Sequence, residues 1–154
     1  MLKIIISIVI CFAVGFTSGF VTADAIPNWY ADLNRPFFNP PNWLFGPAWT
    51  LLYTLMGIAA GIIWNKGLDQ KIVRTALIIF IVQLVLNGLW SLIFFGMKNP
   101  FLALVEILLL WGMILLCIIQ FGKINKTASW LMVPYILWVT FATALNFCIW
   151  QLNS

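Results

Sequence analysis

The chain has 154 residues, of which 64% are hydrophobic and 8% charged, with a formal net charge of +4 and a mean hydropathy of +1.06. Soluble domains carry about a quarter charged residues, so twelve charges could not solvate a globule this size. Soluble enzymes and disordered chains are excluded, and an integral membrane protein remains. No basic cluster reads as a nucleic-acid surface, so no nucleic-acid partner is expected.

The charges divide the sequence into five apolar runs, each long enough to cross a hydrocarbon core as a helix of about 20 residues. The predicted helices are 4–23, 47–65, 75–97, 100–122 and 128–150, in one transmembrane domain covering 1–154, with a long connection over 24–46. Continuous runs, without period-2 alternation, argue against a barrel. Lys3 and the Ala23-Asp24-Ala25 triplet also fit a signal peptide, but the run is read as the first spanning helix. The long connection contains Pro27, Pro36, Pro40 and Pro41 among aromatics, which predicts an ordered cap. Gly46-Pro47 and Asn99-Pro100 mark starts of helices 2 and 4. Thr127 or Ser129 is placed to cap helix 5, and Pro134 inside that helix should bend it. The fold class expected is an all-α five-helix bundle with short antiparallel connections. Six basic residues (Lys3, Lys66, Lys71, Arg74, Lys123, Lys126) fall on one side and two (Arg35, Lys98) on the other. This places the N-terminus inside and the C-terminus outside, and the pattern fits a plasma membrane.

Polar groups inside a bilayer mark function by default. Trp49 and Tyr53 fall in the first turns of helix 2. Asn87, Trp90, Ser91 and Phe94 recur at i, i+3, i+4 and i+7 in the outer half of helix 3. Glu106 lies about 9 Å along helix 4, at ~1.5 Å per residue. Trp138, Ala142 and Asn146 make an i, i+4, i+8 line on helix 5. These faces are expected to converge under the long connection as an aromatic-lined small-molecule site. Gln83 and Thr140 sit near mid-depth, and Gln120 on the inner side. Interfacial anchoring or packing is the plainer reading of Trp29, Tyr30, Trp43, Trp64, Trp130 and Trp150. Gly15-x-x-x-Gly19 and Gly57-x-x-x-Gly61 permit close helix approach, within the bundle or at a dimer seam. With no His and with Cys11, Cys117 and Cys148 in apolar runs, no metal site and no resident cofactor is expected. The cysteines read as small buried residues.

Several blocks together resemble the TspO/translocator protein family, also called tryptophan-rich sensory proteins or peripheral-type benzodiazepine receptors. They are Trp29-Tyr30, Arg35-Pro36, Asn39-Pro40-Pro41-Asn42-Trp43, Gly46-Pro47-Ala48-Trp49-Thr50-Leu51-Leu52-Tyr53, Gln83-Leu84-Val85-Leu86-Asn87, Ile93-Phe94-Phe95-Gly96, Ala103-Leu104-Val105-Glu106 and the run from Pro134 to Asn146. Helix 1 matches in hydrophobicity alone. The resemblance implies a five-helix bundle, commonly a homodimer, with a porphyrin-binding cavity beneath the first connection. By position, Tyr30, Pro40, Trp49, Tyr53, Asn87, Trp90, Phe94, Trp138 and Ala142 would line it. Ser91, Glu106 and Asn146 join them on the depth argument above. Trp49 and Trp138 match tryptophans linked in bacterial relatives to light-dependent breakdown of protoporphyrin IX, so they are the catalytic candidates if the protein is an enzyme. The position of Glu106 is often Asp in the family. Phe147 and Gln151 stand where the animal cholesterol motif needs a Tyr and a basic residue, so that ligand is not implied. The leading expectation is a sensor or regulator that binds a metal-free porphyrin, a tetrapyrrole. Light-dependent porphyrin degradation and tetrapyrrole or lipid transport are the alternatives. Expected partners are the porphyrin or another apolar small molecule, membrane lipid and a second copy of the chain.

Overall fold

The computed structural model describes residues 1–36, 39 and 42–153 and is all-helical, with no strand among the described residues. Helix α1 spans Leu2–Asn28, α2 Asn42–Trp64, α3 Lys71–Ser91, α4 Pro100–Gly122, α5 Lys126–Leu131 and α6 Val133–Leu152. Five stretches of 22 to 27 residues are long and apolar enough to cross a membrane. They are α1, α2, α3 with the turn that follows it, α4, and α5 with α6.

Helix α3 begins at Lys71, four residues before its expected start, and three further boundaries depart from the sequence expectation, each for a local reason. Helix α1 continues to Asn28, five residues past its expected end at 23, and carries Pro27 in its last turn. The Trp29 N–H closes that turn onto the Ala25 carbonyl at 2.9 Å. A single 3-10 turn, Tyr30–Asp32, follows. Helix α2 begins at Asn42, not 47, so Pro47 lies within its second turn. There it forgoes one ladder bond, next to Gly46, whose missing side chain leaves open space. The expected fifth helix is two. Asn125 caps α5, its Oδ1 accepting the Ala128 N–H at 3.0 Å, while Ser129 donates instead to the Ile118 carbonyl at 2.8 Å. The helix stops at Leu131, and α6 restarts at Val133 with Pro134 in its first turn, where no N–H is needed.

After α3 the chain widens into a π-helical turn, Leu92–Gly96, closed by the Met97 N–H on the Leu92 carbonyl at 2.8 Å. The wider turn brings both Phe94 and Phe95 inward, two neighbours that a regular α-helix would set about 100° apart. The turn ends at Lys98, with φ of 54°. Asn99 then caps α4, its Oδ1 accepting the Leu102 N–H at 3.1 Å, with Pro100 as the first helical residue.

Close packing is greatest between α1 and α2. A Cβ on Gly57 would lie 2.5 Å from the Cα of Ile8, and one on Gly61 would collide with the Cα of Ile4. The Gly57-x-x-x-Gly61 stripe is therefore an internal seam that α1 occupies. The lower core joins Met56, Ile63, Val73, Ile114 and Met132 to a stacked Phe80–Phe121 pair with centroids 6.0 Å apart. Cys11 and Cys117 are buried in it as free thiols, and Cys148 is half-buried. Lys3 lies 5.7 Å over the Trp64 ring, which sets the start of α1 beside the end of α2.

Candidate functional site

Above that core, toward the end that carries the α1–α2 connection, the bundle forms a partly open cavity of about 380 Å³. Its walls come from α1, α2, the end of α3 with its π turn, and α6. Nine of the residues singled out in the sequence line it: Tyr30, Trp49, Tyr53, Trp90, Ser91, Phe94, Trp138, Ala142 and Asn146.

The rings form a connected surface. Trp49 contacts Tyr53 (centroids 5.5 Å apart, 30° between planes) and meets Trp138 nearly edge-on (6.2 Å, 82°). Phe45 and Phe141 extend the Trp138 side, at 6.4 and 5.8 Å. On the opposite wall Trp90 stacks on Phe94 at 5.1 Å. Its indole N–H donates to Asn146 Oδ1 at 3.0 Å, and Asn146 Nδ2 donates to the Pro100 carbonyl at 2.7 Å. That pair ties α3, α6 and the start of α4 together. Such bonds satisfy polar groups that hydrocarbon would leave stranded.

Tyr30 roofs the cavity. Its hydroxyl donates to Asn39 Oδ1 at 2.7 Å, and the Arg35 guanidinium sits 5.1 Å from its ring. Burial pushes the phenol above its ordinary pKa, against a smaller downward pull from Asn39 and Arg35, so it stays the neutral donor. The connection is also pinned to the far end of α6. The Asn34 N–H donates to Asn153 Oδ1 at 3.0 Å, and Asn153 Nδ2 donates to the Asn34 carbonyl at 2.8 Å.

Two expected site residues, Asn87 and Glu106, stand elsewhere. Asn87 is beneath the floor and does not line the cavity. It accepts from the Tyr53 hydroxyl at 2.6 Å and donates to the Tyr135 oxygen at 2.8 Å, and Tyr135 donates onward to Gln83 Oε1 at 2.8 Å. Asn87 thus joins a buried chain that runs from the cavity floor into the core. Gln83, indistinct in the sequence, is fully buried at its end. Glu106 is buried on α4, which contributes nothing to the cavity lining, and neither carboxyl oxygen has a hydrogen-bond partner among the described residues. The four-helix convergence expected in the sequence therefore swaps one member, because α4 packs behind α3 and α6. Pro40 lies outside the described residues.

The member that replaces α4 is α1, which the sequence did not mark as a site helix. It supplies Phe12, Gly15, Ser18, Gly19, Thr22 and Ile26, among others. A Cβ on Gly15 would come within 2.7 Å of the Tyr53 ring, whereas one on Gly19 would meet nothing within 4 Å. The small residues at 15, 18, 19 and 22 carry the signal that could have placed this face. Phe45 and Phe95 were also missed.

Five spanning helices with an aromatic-lined cavity near one end define a polytopic membrane protein. The chain belongs to the TspO/MBR family, whose model matches residues 7–151. It is 47% identical to the tryptophan-rich protein TspO of Archaeoglobus fulgidus, over 99% of this chain and 98% of that one. It is 43% identical to the tryptophan-rich protein TspO of Chlorobaculum tepidum, over 99% and 96%. Against the human translocator protein it is 36% identical over 88% of this chain and 80% of the relative.

Proposed function

We propose that this protein binds a porphyrin of the protoporphyrin IX type in the Trp-rich cavity and acts as a sensor or regulator of tetrapyrrole levels. The observation that carries the reading is the ring surface of one cavity, in which Trp49, Tyr53 and Trp138 are joined to Trp90 and Phe94 through Phe45 and Tyr30. A flat apolar macrocycle gains from burial and from ring contacts on such walls. In this reading the connection over the cavity is an ordered lid on the outer side of a plasma membrane, the N-terminus is inside, and Arg35 faces the macrocycle's carboxylates. The protein works as a homodimer, whose seam is not Gly57/Gly61, since α1 covers that stripe.

The test is titration of the detergent-purified protein with protoporphyrin IX, read by tryptophan quenching. Saturable binding is expected, and Ala142→Thr is expected to weaken it about tenfold, within the ~1–3 kcal/mol of overpacking a filled wall. Uptake no different from empty micelles overturns the reading, and an unchanged affinity in the variant places the guest elsewhere.

The edge-on Trp49–Trp138 pair favours a second activity at the same site, light-dependent degradation of the bound porphyrin. The bound porphyrin absorbs the light, electrons pass by way of the two indoles, and dissolved dioxygen is the oxidant that the breakdown consumes. Under illumination Trp49→Phe/Trp138→Phe is expected to slow product formation at least about tenfold, or about 1.4 kcal/mol on the barrier. A rate unchanged in the double variant rules this activity out.

A further inference from the structure

The hydrogen-bonding groups of the cavity sort into spent and unspent. Helical hydroxyls commonly donate back to the carbonyl four residues earlier, and here Ser7, Thr17, Thr22, Thr50, Thr140 and Thr143 all do, at 2.7–3.0 Å. Thr22 and Thr50 line the cavity with their protons already used. Tyr30, Tyr53, Trp90 and Asn146 are likewise committed to protein partners.

Among the serines and threonines that line the cavity, two break the pattern. Ser18 on α1 and Ser91 at the end of α3 both line the cavity, and neither side chain makes a hydrogen bond among the described residues. Ser18 is only 6% exposed, at the cavity wall. The two share one seam. Ser18 Oγ lies 3.7 Å from where a Cβ of Gly88 would be, and Ser91 is one helical turn beyond Gly88. Trp49 and Trp138 line the same cavity. No Lys, Arg, Asp or Glu lines the cavity among the described residues. A charged group held against the serines would therefore find no counter-ion on the cavity wall, which disfavours it against a neutral polar group.

We propose that Ser18 and Ser91 form a hydroxyl clip that takes the neutral polar edge of a planar ligand (a hydroxyl, carbonyl or ring nitrogen), while the ligand's apolar body lies toward the indoles. This deepens the reading of the cavity as a ligand site, because it assigns which edge of the guest points at the α1–α3 seam.

The experiment compares two probes of equal body, pyrene and 1-pyrenemethanol, by energy transfer from tryptophan in the detergent-solubilised full chain, corrected for uptake into empty micelles. The protein is expected to prefer 1-pyrenemethanol. Ser18→Ala/Ser91→Ala is expected to weaken that probe about tenfold, the order of one to two net neutral hydrogen bonds, and to leave pyrene within about twofold. Thermal unfolding of the variant checks that the bundle is intact. No preference in the parent protein, a preference that survives the double substitution, or an equal loss for both probes each overturns the clip. Protoporphyrin IX titrated in parallel separates the two readings. Its failure to bind while the alcohol preference stands removes the tetrapyrrole alone, and the reverse removes the clip alone.

Discussion

Gly57→Leu or Gly61→Leu is expected to destabilise the bundle more than any other single change on α2. At both positions even a first side-chain carbon lands on α1 backbone, 2.5 Å from the Ile8 Cα in one case and against the Ile4 Cα in the other. Backbone cannot rotate away as a flexible side chain would, so the helices must part, and dispersion along the whole seam is lost. Overpacking costs typically ~1–3 kcal/mol and more where nothing yields, so a loss of about 3 kcal/mol or more is expected. Gly112 on α4 meets nothing within 4 Å. There Gly→Ala is expected to be neutral or to stabilise by about 0.5–1 kcal/mol through helix propensity. Detergent unfolding followed by circular dichroism checks both signs. A Gly61→Leu protein as stable as the parent would mean that α1 does not seat on α2 as described.

The second large effect is expected at Asn87. Its amide links the cavity-floor hydroxyl of Tyr53 to that of the fully buried Tyr135. Asn87→Leu keeps the volume but removes an acceptor from one phenol and a donor from the other. An orphaned buried polar group costs about 1–3 kcal/mol, and a loss of about 2 kcal/mol is expected. Removing both partners of a bond is cheaper than removing one, so Tyr53→Phe/Asn87→Leu should be less destabilised than the sum of its single variants. A double-mutant cycle measures that difference. Strict additivity would mean that the chain of hydroxyls and amides is not formed. Because Tyr53 also lines the cavity, Asn87→Leu should alter ligand affinity as well, although Asn87 touches no guest.

Much of this arrangement was legible because the bilayer makes sequence blunt. Charges must sit at helix ends, so the five runs could be read off directly, and polar residues at helical spacing on α3 and α6 gave the orientation of their faces. Trp90, Ser91, Phe94, Trp138, Ala142 and Asn146 all reach the cavity as their spacing predicts. Glu106 misled because α4 holds no second polar residue near it to orient the face, and its inward side proved to pack behind the cavity wall. The α1 wall was silent for the opposite reason. Its contribution is absence of bulk, and glycine and serine in an apolar run look like ordinary small residues until a partner is placed against them. Asn87 shows the limit of depth arguments, since a polar group at the right level can serve the floor from below. The π turn that turns Phe95 inward leaves no periodic trace, because it breaks the period itself.

The bonds around the void are unevenly distributed, and that has a mechanical consequence. The α3, α6 and α4 side is laced by Trp90, Asn146 and the Pro100 carbonyl, and the floor by the Tyr53–Asn87–Tyr135–Gln83 chain. The hydroxyls of α1 that donate do so only within their own helix, and α1 is held to α2 by glycine contacts without a side-chain hydrogen bond among the described residues. One flank is thus held by directional bonds and the other by close packing, so among the described residues the α1–α2 seam has no side-chain hydrogen bond to fall back on when its glycine contacts are lost.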